Sequence, residues 1–180
     1  MKTKRLLLCA LMCALTAVGA MIRIPFGYAI ITMQFLFTAL AGVLLGAKWG
    51  AASQLLYLLL GFAGLPVFGG GGGPMYFVQP TCGFVLALPA CAALIGALTK
   101  KSTAWRRVVL ACAAALVLLY TVGLIYMYAV LTLYVGESLP LTRLAVLYLL
   151  PYLPGDCAKT ALCAALIARL PRELKSREKM

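Results

Sequence analysis

The sequence predicts an all-α membrane protein: one compact bundle of six transmembrane helices, with residues 1–180 forming a single domain and both termini in the cytoplasm. Three observations predict it. Hydrophobic residues fill 64% of the 180 positions and charged residues only 11%, against about 25% charged residues in a water-soluble domain. The apolar residues fall into runs near the length of a helical hydrocarbon span, about 20 residues, and six of these take about 120 residues, which leaves only short loops. Lys and Arg gather at alternate ends of the runs, as topology signals do.

Each element follows from its punctuation. Helix 1 is expected over residues 6–22, closed by Arg23 and Pro25, because Pro25 lacks an N–H and biases Ile24 away from helix. The opening Met1-Lys-Thr-Lys-Arg5 and its apolar sequel also have the form of a cleaved secretory signal; a retained first helix is preferred. Residues 26–31 read as an irregular segment. Helix 2 is expected over 32–47, a tight basic turn at Lys48-Trp49-Gly50, and helix 3 over 51–63, with Trp49 suited to the membrane interface. Gly64-Leu-Pro-Val-Phe68, five glycines and Pro74 to Pro80 then exclude a long helix. Unpaired backbone groups are not tolerated facing lipid, so this uncharged segment lies in water or lines a cavity. It is either a flexible loop or a lid or cavity wall that moves over a ligand. Helix 4 is expected over 81–99, a basic loop at Lys100, Lys101, Arg106 and Arg107, and helix 5 over 108–135, long enough to tilt. After the loop 136–142, the last apolar region reads as a short helix, a break at Pro151 to Pro154, and helix 6 to about residue 168, with a short basic cytoplasmic tail from about 169.

Thirteen Lys and Arg residues collect on one side of this arrangement, and only Arg23 and Arg143 on the other. The positive-inside rule therefore assigns both termini to the cytoplasm and the Gly-rich segment, Arg23 and Glu137 to the outside. The net charge of +12 reads as topology signals and contacts with anionic membrane lipid rather than as a nucleic-acid surface. There is no GxxxxGK[ST] phosphate loop, so the chain carries no nucleotide-hydrolysing engine of that kind. The seven cysteines form no CxxC pair and there is no histidine, which argues against a metal site; most of the cysteines read as small apolar helix residues.

Asp156 and Lys159 are the charges set well inside an apolar run without being helix-end anchors. A charge at mid-bilayer costs about 2.5–3.5 kcal/mol on insertion scales, and three residues of separation put both on one helix face. They form either a self-satisfied ion pair with a capping role or a pair that jointly faces a polar guest. Thr32 and Gln34, Gln79 and Thr81, and Tyr76 and Tyr152 cluster at the same expected depth. Such a set suits a small ligand with a hydrogen-bonding head and an apolar body. Ala10 and Ala14 give helix 1 a small-xxx-small spacing, which on spacing alone favours packing within the bundle.

Several blocks resemble the BioY family. They are Pro25 with Ile31-Thr-Met-Gln34, Gly42-Val-Leu-Leu-Gly46, the run Tyr57-Leu-Leu-Leu-Gly61-Phe-Ala-Gly64-Leu-Pro-Val-Phe68-Gly, Gln79-Pro-Thr-Cys-Gly-Phe84, and Pro151-Tyr-Leu-Pro-Gly-Asp156-Cys-Ala-Lys159. The resemblance covers nearly the whole chain. It implies the six-helix substrate-subunit fold of energy-coupling factor (ECF) transporters, in a multi-pass subunit of a bacterial cell membrane. It implies high-affinity biotin binding near the outer face, with Asp156 and Lys159 matching the family's acid and base that contact the ligand, and it leaves open which of them meets the ureido ring and which the carboxylate. It implies partners: a transmembrane coupling subunit, on which Ala10 and Ala14 would dock, and two ATP-binding cassette ATPases. No reaction is catalysed by such a subunit, and no cofactor is implied. Members commonly read Gly-Pro-Thr-Gly-Gly-Tyr where this chain has Gln79-Pro-Thr-Cys-Gly-Phe84, a departure that bears on the pocket. The rival readings are the same fold carrying thiamin or riboflavin, an intramembrane enzyme using Asp156, for which no partner Asp, Ser or His is evident, and a purely structural membrane subunit.

Overall fold

The computed structural model describes residues 2–26, 29–136 and 140–170. Helix α1 (Lys2–Met21) is followed by two short antiparallel strands, β1 (Arg23–Phe26) and β2 (Ala29–Thr32), and then by α2 (Gln34–Phe62). The Gly-rich segment ends in a 3-10 turn (Pro74–Val78); α3 (Cys82–Leu86), α4 (Leu88–Leu98) and α5 (Trp105–Val130) follow, and α5 runs on as a wider π turn over Leu131–Val135. The chain closes with α6 (Leu141–Tyr148) and α7 (Leu153–Arg169). Among the described residues, three helical stretches are long and apolar enough to cross a membrane: Thr3–Met21, Gln34–Phe62 and Trp105–Tyr134.

The hairpin puts paired strands where the sequence predicts an irregular segment over 26–31, and as a short ribbon beside the bundle it leaves the all-helical class in place. Arg23 pairs with Thr32 and Pro25 with Ile30. Pro25 tolerates a strand because a two-stranded ribbon has only edges, where a missing N–H breaks no central ladder.

Helix α2 is a folded-back pair rather than one rod. Gly46 has φ 81° and ψ 178°, a backbone conformation that a side chain disfavours. Beyond it the chain reverses. Thr38 Oγ donates to Gln54 Oε1 at 3.1 Å, and Gln34 Nε2 to Tyr57 OH at 2.6 Å. Sixteen residues of straight helix would span about 24 Å, so these contacts require two antiparallel arms, 34–45 and 47–62. The two helices expected from sequence are therefore present, but the turn is at Gly46, and Lys48-Trp49-Gly50 opens the second arm.

Small residues let the backbones meet. A side chain on Gly96 would lie 2.3 Å from Ala47 N, and one on Gly42 would lie 2.7 Å from Ala92 O, so α4 packs directly on the Gly46 turn. Such contact drives helix association where lipid removes the usual hydrophobic advantage. A buried polar chain joins α1 to both arms of α2: Gln54 Nε2 donates to Thr16 Oγ at 3.1 Å and Ser53 Oγ at 3.3 Å, and Thr16 donates to Met12 O at 2.8 Å. Every donor and the acceptor of the Gln54 amide is thereby used, which is what makes a buried amide tolerable. Large apolar side chains face outward, among them Leu7, Leu59, Leu110, Val117 and Ile125, as a surface meeting lipid does.

The bundle has two chemically different ends. Lys4, Arg5, Lys48, Lys100, Lys101, Arg106, Arg107 and Arg169 sit at helix ends on one side, and Cys9 Sγ within 3.7 Å of Trp49 O ties α1 to the Gly46 turn there. At the other end lie the hairpin, the Gly-rich segment and the start of α7. Glu137 and the basic residues beyond 170 lie outside the described residues.

Candidate binding site

Between these outer elements is a cavity of about 340 Å³, at the lower end of small-molecule sites. Its core is the first turn of α7. Pro154 stands at the helix start, and Asp156 falls in the first turn, where the helix dipole favours an anion. Asp156 and Lys159 are both buried, at 4% and 6% exposure. Their side chains form an ion pair across one helical turn. Tyr120, on α5, donates its hydroxyl to the second carboxylate oxygen of Asp156. Lys159 Nζ also donates to Thr32 O at 3.1 Å, tying α7 to the hairpin. One ammonium N–H and the remaining lone pairs of the carboxylate have no protein partner among the described residues. An ionised carboxylate has about four acceptor positions and an ammonium three donors, so the pair compensates its own charge and still offers both signs of hydrogen bond to a guest.

A second polar group comes from α2. Thr32 Oγ donates to Gln34 Oε1 at 3.3 Å, Gln34 Nε2 to Tyr57 OH, and Tyr57 OH to Val67 O at 3.0 Å. The last bond ties the Gly-rich segment to the second arm. Phe68 completes that anchor. It is 2% exposed and lies edge-on to Tyr57 and Phe62, with ring centroids at 5.3 and 5.1 Å. The segment is thus a held wall rather than a loose loop, and Gly69 and Gly70 line the cavity. Glycine is required where the backbone doubles back: a side chain on Gly72 would lie 2.0 Å from Leu65 O. Burial pushes the Tyr76 phenol up from its ordinary value, against a smaller opposite effect of its hydrogen bond with Thr81, so Tyr76 remains a neutral hydrogen-bonding group.

Of the eight residues singled out from sequence as ligand-facing, Thr32, Gln34, Tyr76, Thr81, Tyr152, Asp156 and Lys159 line this cavity. Gln79 does not; its side chain lies close to Gly70, where a Cβ would stand 2.8 Å from Gln79 Oε1. Phe84 is in the lining and packs its ring against Gly123 of α5, 2.3 Å from where a Cβ would sit. Sequence reasoning missed Tyr120, Tyr57 and the cavity position of Arg23. The apolar lining, Phe35, Val85, Leu88, Leu119 and Met127, was also not singled out. Ala10 and Ala14 are exposed on α1, away from the cavity and free for an external contact.

Residues 1–176 match the BioY family. A probable biotin transporter BioY of Lysinibacillus sphaericus is 33% identical over 176 residues, covering 97% of this chain and 90% of the relative. The biotin transporter BioY of Thermotoga maritima is 31% identical over 170 residues, covering 94% of this chain and 96% of the relative. Among solved structures, the crystal structure of an S-component for biotin from an ECF-type ABC transporter superposes with a TM-score of 0.80 at 30% identity, covering 93% of this chain and 90% of that one.

Proposed function

The chain belongs to the BioY family, and from that premise we propose that it is the substrate-binding subunit of an ECF-type biotin transporter, capturing biotin in the cavity at the start of α7. One observation carries the reading: the buried Asp156–Lys159 pair, braced by Tyr120, keeps unused acceptors and a donor in a cavity whose walls are otherwise largely apolar. Biotin combines an N–H- and C=O-bearing head with an apolar body, which suits that lining. The other ligand contacts are Thr32, Gln34, Tyr76, Thr81 and Tyr152. Biotin is cargo rather than cofactor, and the subunit catalyses no reaction.

The remaining features fit this role. Six apolar helical segments, α1, the two arms of α2, α3 with α4, α5 and α7, cross the cell membrane, and both termini are cytoplasmic. The cationic end of the bundle supports that orientation. Capture is then from outside, through the end carrying the hairpin and the Gly-rich wall. Energy for release comes from partner ATPases through a transmembrane coupling subunit, which docks on the exposed Ala10 and Ala14 of α1. Calorimetric titration of the purified protein with biotin tests the reading, with thiamin and riboflavin as competitors. Saturable biotin binding that neither vitamin displaces is expected; a folded protein that binds thiamin or riboflavin and not biotin refutes it.

A further inference from the structure

The charged groups of the cavity lining are Arg23, Asp156 and Lys159, an excess of one positive charge. Asp156 is the sole acidic side chain among the described residues, and its two oxygens are already engaged by Lys159 and Tyr120. The ammonium of Lys159 is therefore compensated, while the guanidinium of Arg23 faces no carboxylate among those residues. The two cations also differ in depth: Lys159 is buried and Arg23 is exposed, which puts Arg23 at the mouth. Its place there is set by the hairpin. Arg23 lies directly opposite Thr32, and opposed residues of an antiparallel pair point to the same face. That shared face is the one from which Thr32 and Arg23 line the cavity. Arg23 also acts electrostatically on Tyr76, so its charge is felt from the hairpin to the Gly-rich wall.

Building on the biotin reading, we propose that Arg23 recognises the ligand's carboxylate at the mouth of the cavity, while Asp156 and Lys159 bind its ureido head at the closed end. A carboxylate placed on Lys159 would sit beside the carboxylate of Asp156, and like charges so close disfavour one another. A ureido group there meets an acceptor for its N–H groups and a donor for its oxygen. At the mouth, a guanidinium offers paired N–H donors that match a carboxylate.

The test is calorimetry of the full-length protein in lipid nanodiscs, with biotin and with biotinamide, its neutral carboxamide. The unmodified protein should prefer biotin by about ten- to a hundredfold, the range of a charge-assisted contact. Arg23→Gln should weaken biotin binding while leaving biotinamide unchanged, collapsing the preference, and Arg23→Lys should retain part of it. The unmodified protein supplies an independent readout: added salt should weaken biotin and not biotinamide, because it screens the exposed cation. A preference that survives Arg23→Gln, an equal loss for both ligands, or a preference insensitive to salt overturns the assignment. A protein that binds neither ligand refutes the biotin reading itself, and this inference with it.

Discussion

Replacing Asp156 with Asn changes one oxygen for an amide at nearly constant volume, so its consequences are chemical rather than steric. Asp156 is 4% exposed and carries two hydrogen-bonded partners, Lys159 and Tyr120. The substitution removes the charge that compensates Lys159 and replaces one carboxylate oxygen, with its acceptor positions, by an amide group that only donates. A hydrogen bond to a charged group contributes about 1.5–3 kcal/mol, so biotin affinity should fall by roughly ten- to 150-fold. Stability should fall as well, by up to about 3–5 kcal/mol, the range for breaking a buried pair from one side. The retained bond from Lys159 Nζ to Thr32 O at 3.1 Å limits that loss. The two effects separate in the double variant Asp156→Asn with Lys159→Gln. It removes the orphaned charge and should recover much of the melting temperature, yet it should not recover binding. Calorimetry with biotin and thermal melting in the same detergent read both quantities. A folded Asp156→Asn protein with unchanged biotin affinity would refute a role for this carboxylate in the site, and with it the reasoning from its unused acceptors.

Three further perturbations address the parts that hold the site. Gln54→Leu leaves the hydroxyls of Thr16 and Thr38 without their amide partner and should destabilise the protein by about 1–3 kcal/mol in thermal melts; an unchanged melting temperature would show that this buried network contributes nothing. Gly72→Ala forces a methyl to 2.0 Å from Leu65 O, a backbone atom that cannot swing aside, so biotin binding should weaken by tenfold or more (about 1.4 kcal/mol) in calorimetry; wild-type affinity would mean the Gly-rich wall is not held as described. Ala14→Trp enlarges an exposed position on α1, and it should leave biotin affinity intact while abolishing uptake by cells that supply the coupling module; retained uptake would remove this face from the docking surface.

Much of the site was legible because its residues break local rules. Charges at 156 and 159 within an apolar run, prolines at 151 and 154, and five consecutive glycines each violate what a spanning helix needs, and the structure brings these segments to one end of the bundle. What was not legible depended on long-range pairing. Tyr120 is one of nine tyrosines, and nothing local marks it as the partner of a carboxylate 36 residues away. The hairpin is not legible because its strands are four residues long, too short to show an alternation, and the first contains Pro25. The turn at Gly46 is hard to read because a basic, aromatic triplet such as Lys48-Trp49-Gly50 resembles an interfacial loop more than one glycine after an apolar pair does. Gln79 lies near site residues in sequence, yet it is absent from the cavity lining and its side chain packs next to Gly70 instead.

A cavity built for biotin should carry biotin when the protein is purified. The most direct test is mass spectrometry of the small molecules extracted from freshly purified protein, produced in cells supplied with biotin, thiamin and riboflavin together. Biotin near one equivalent per chain is expected, with less retained by the Asp156→Asn protein. Recovery of thiamin or riboflavin instead, or of no vitamin from a folded protein, would contradict it.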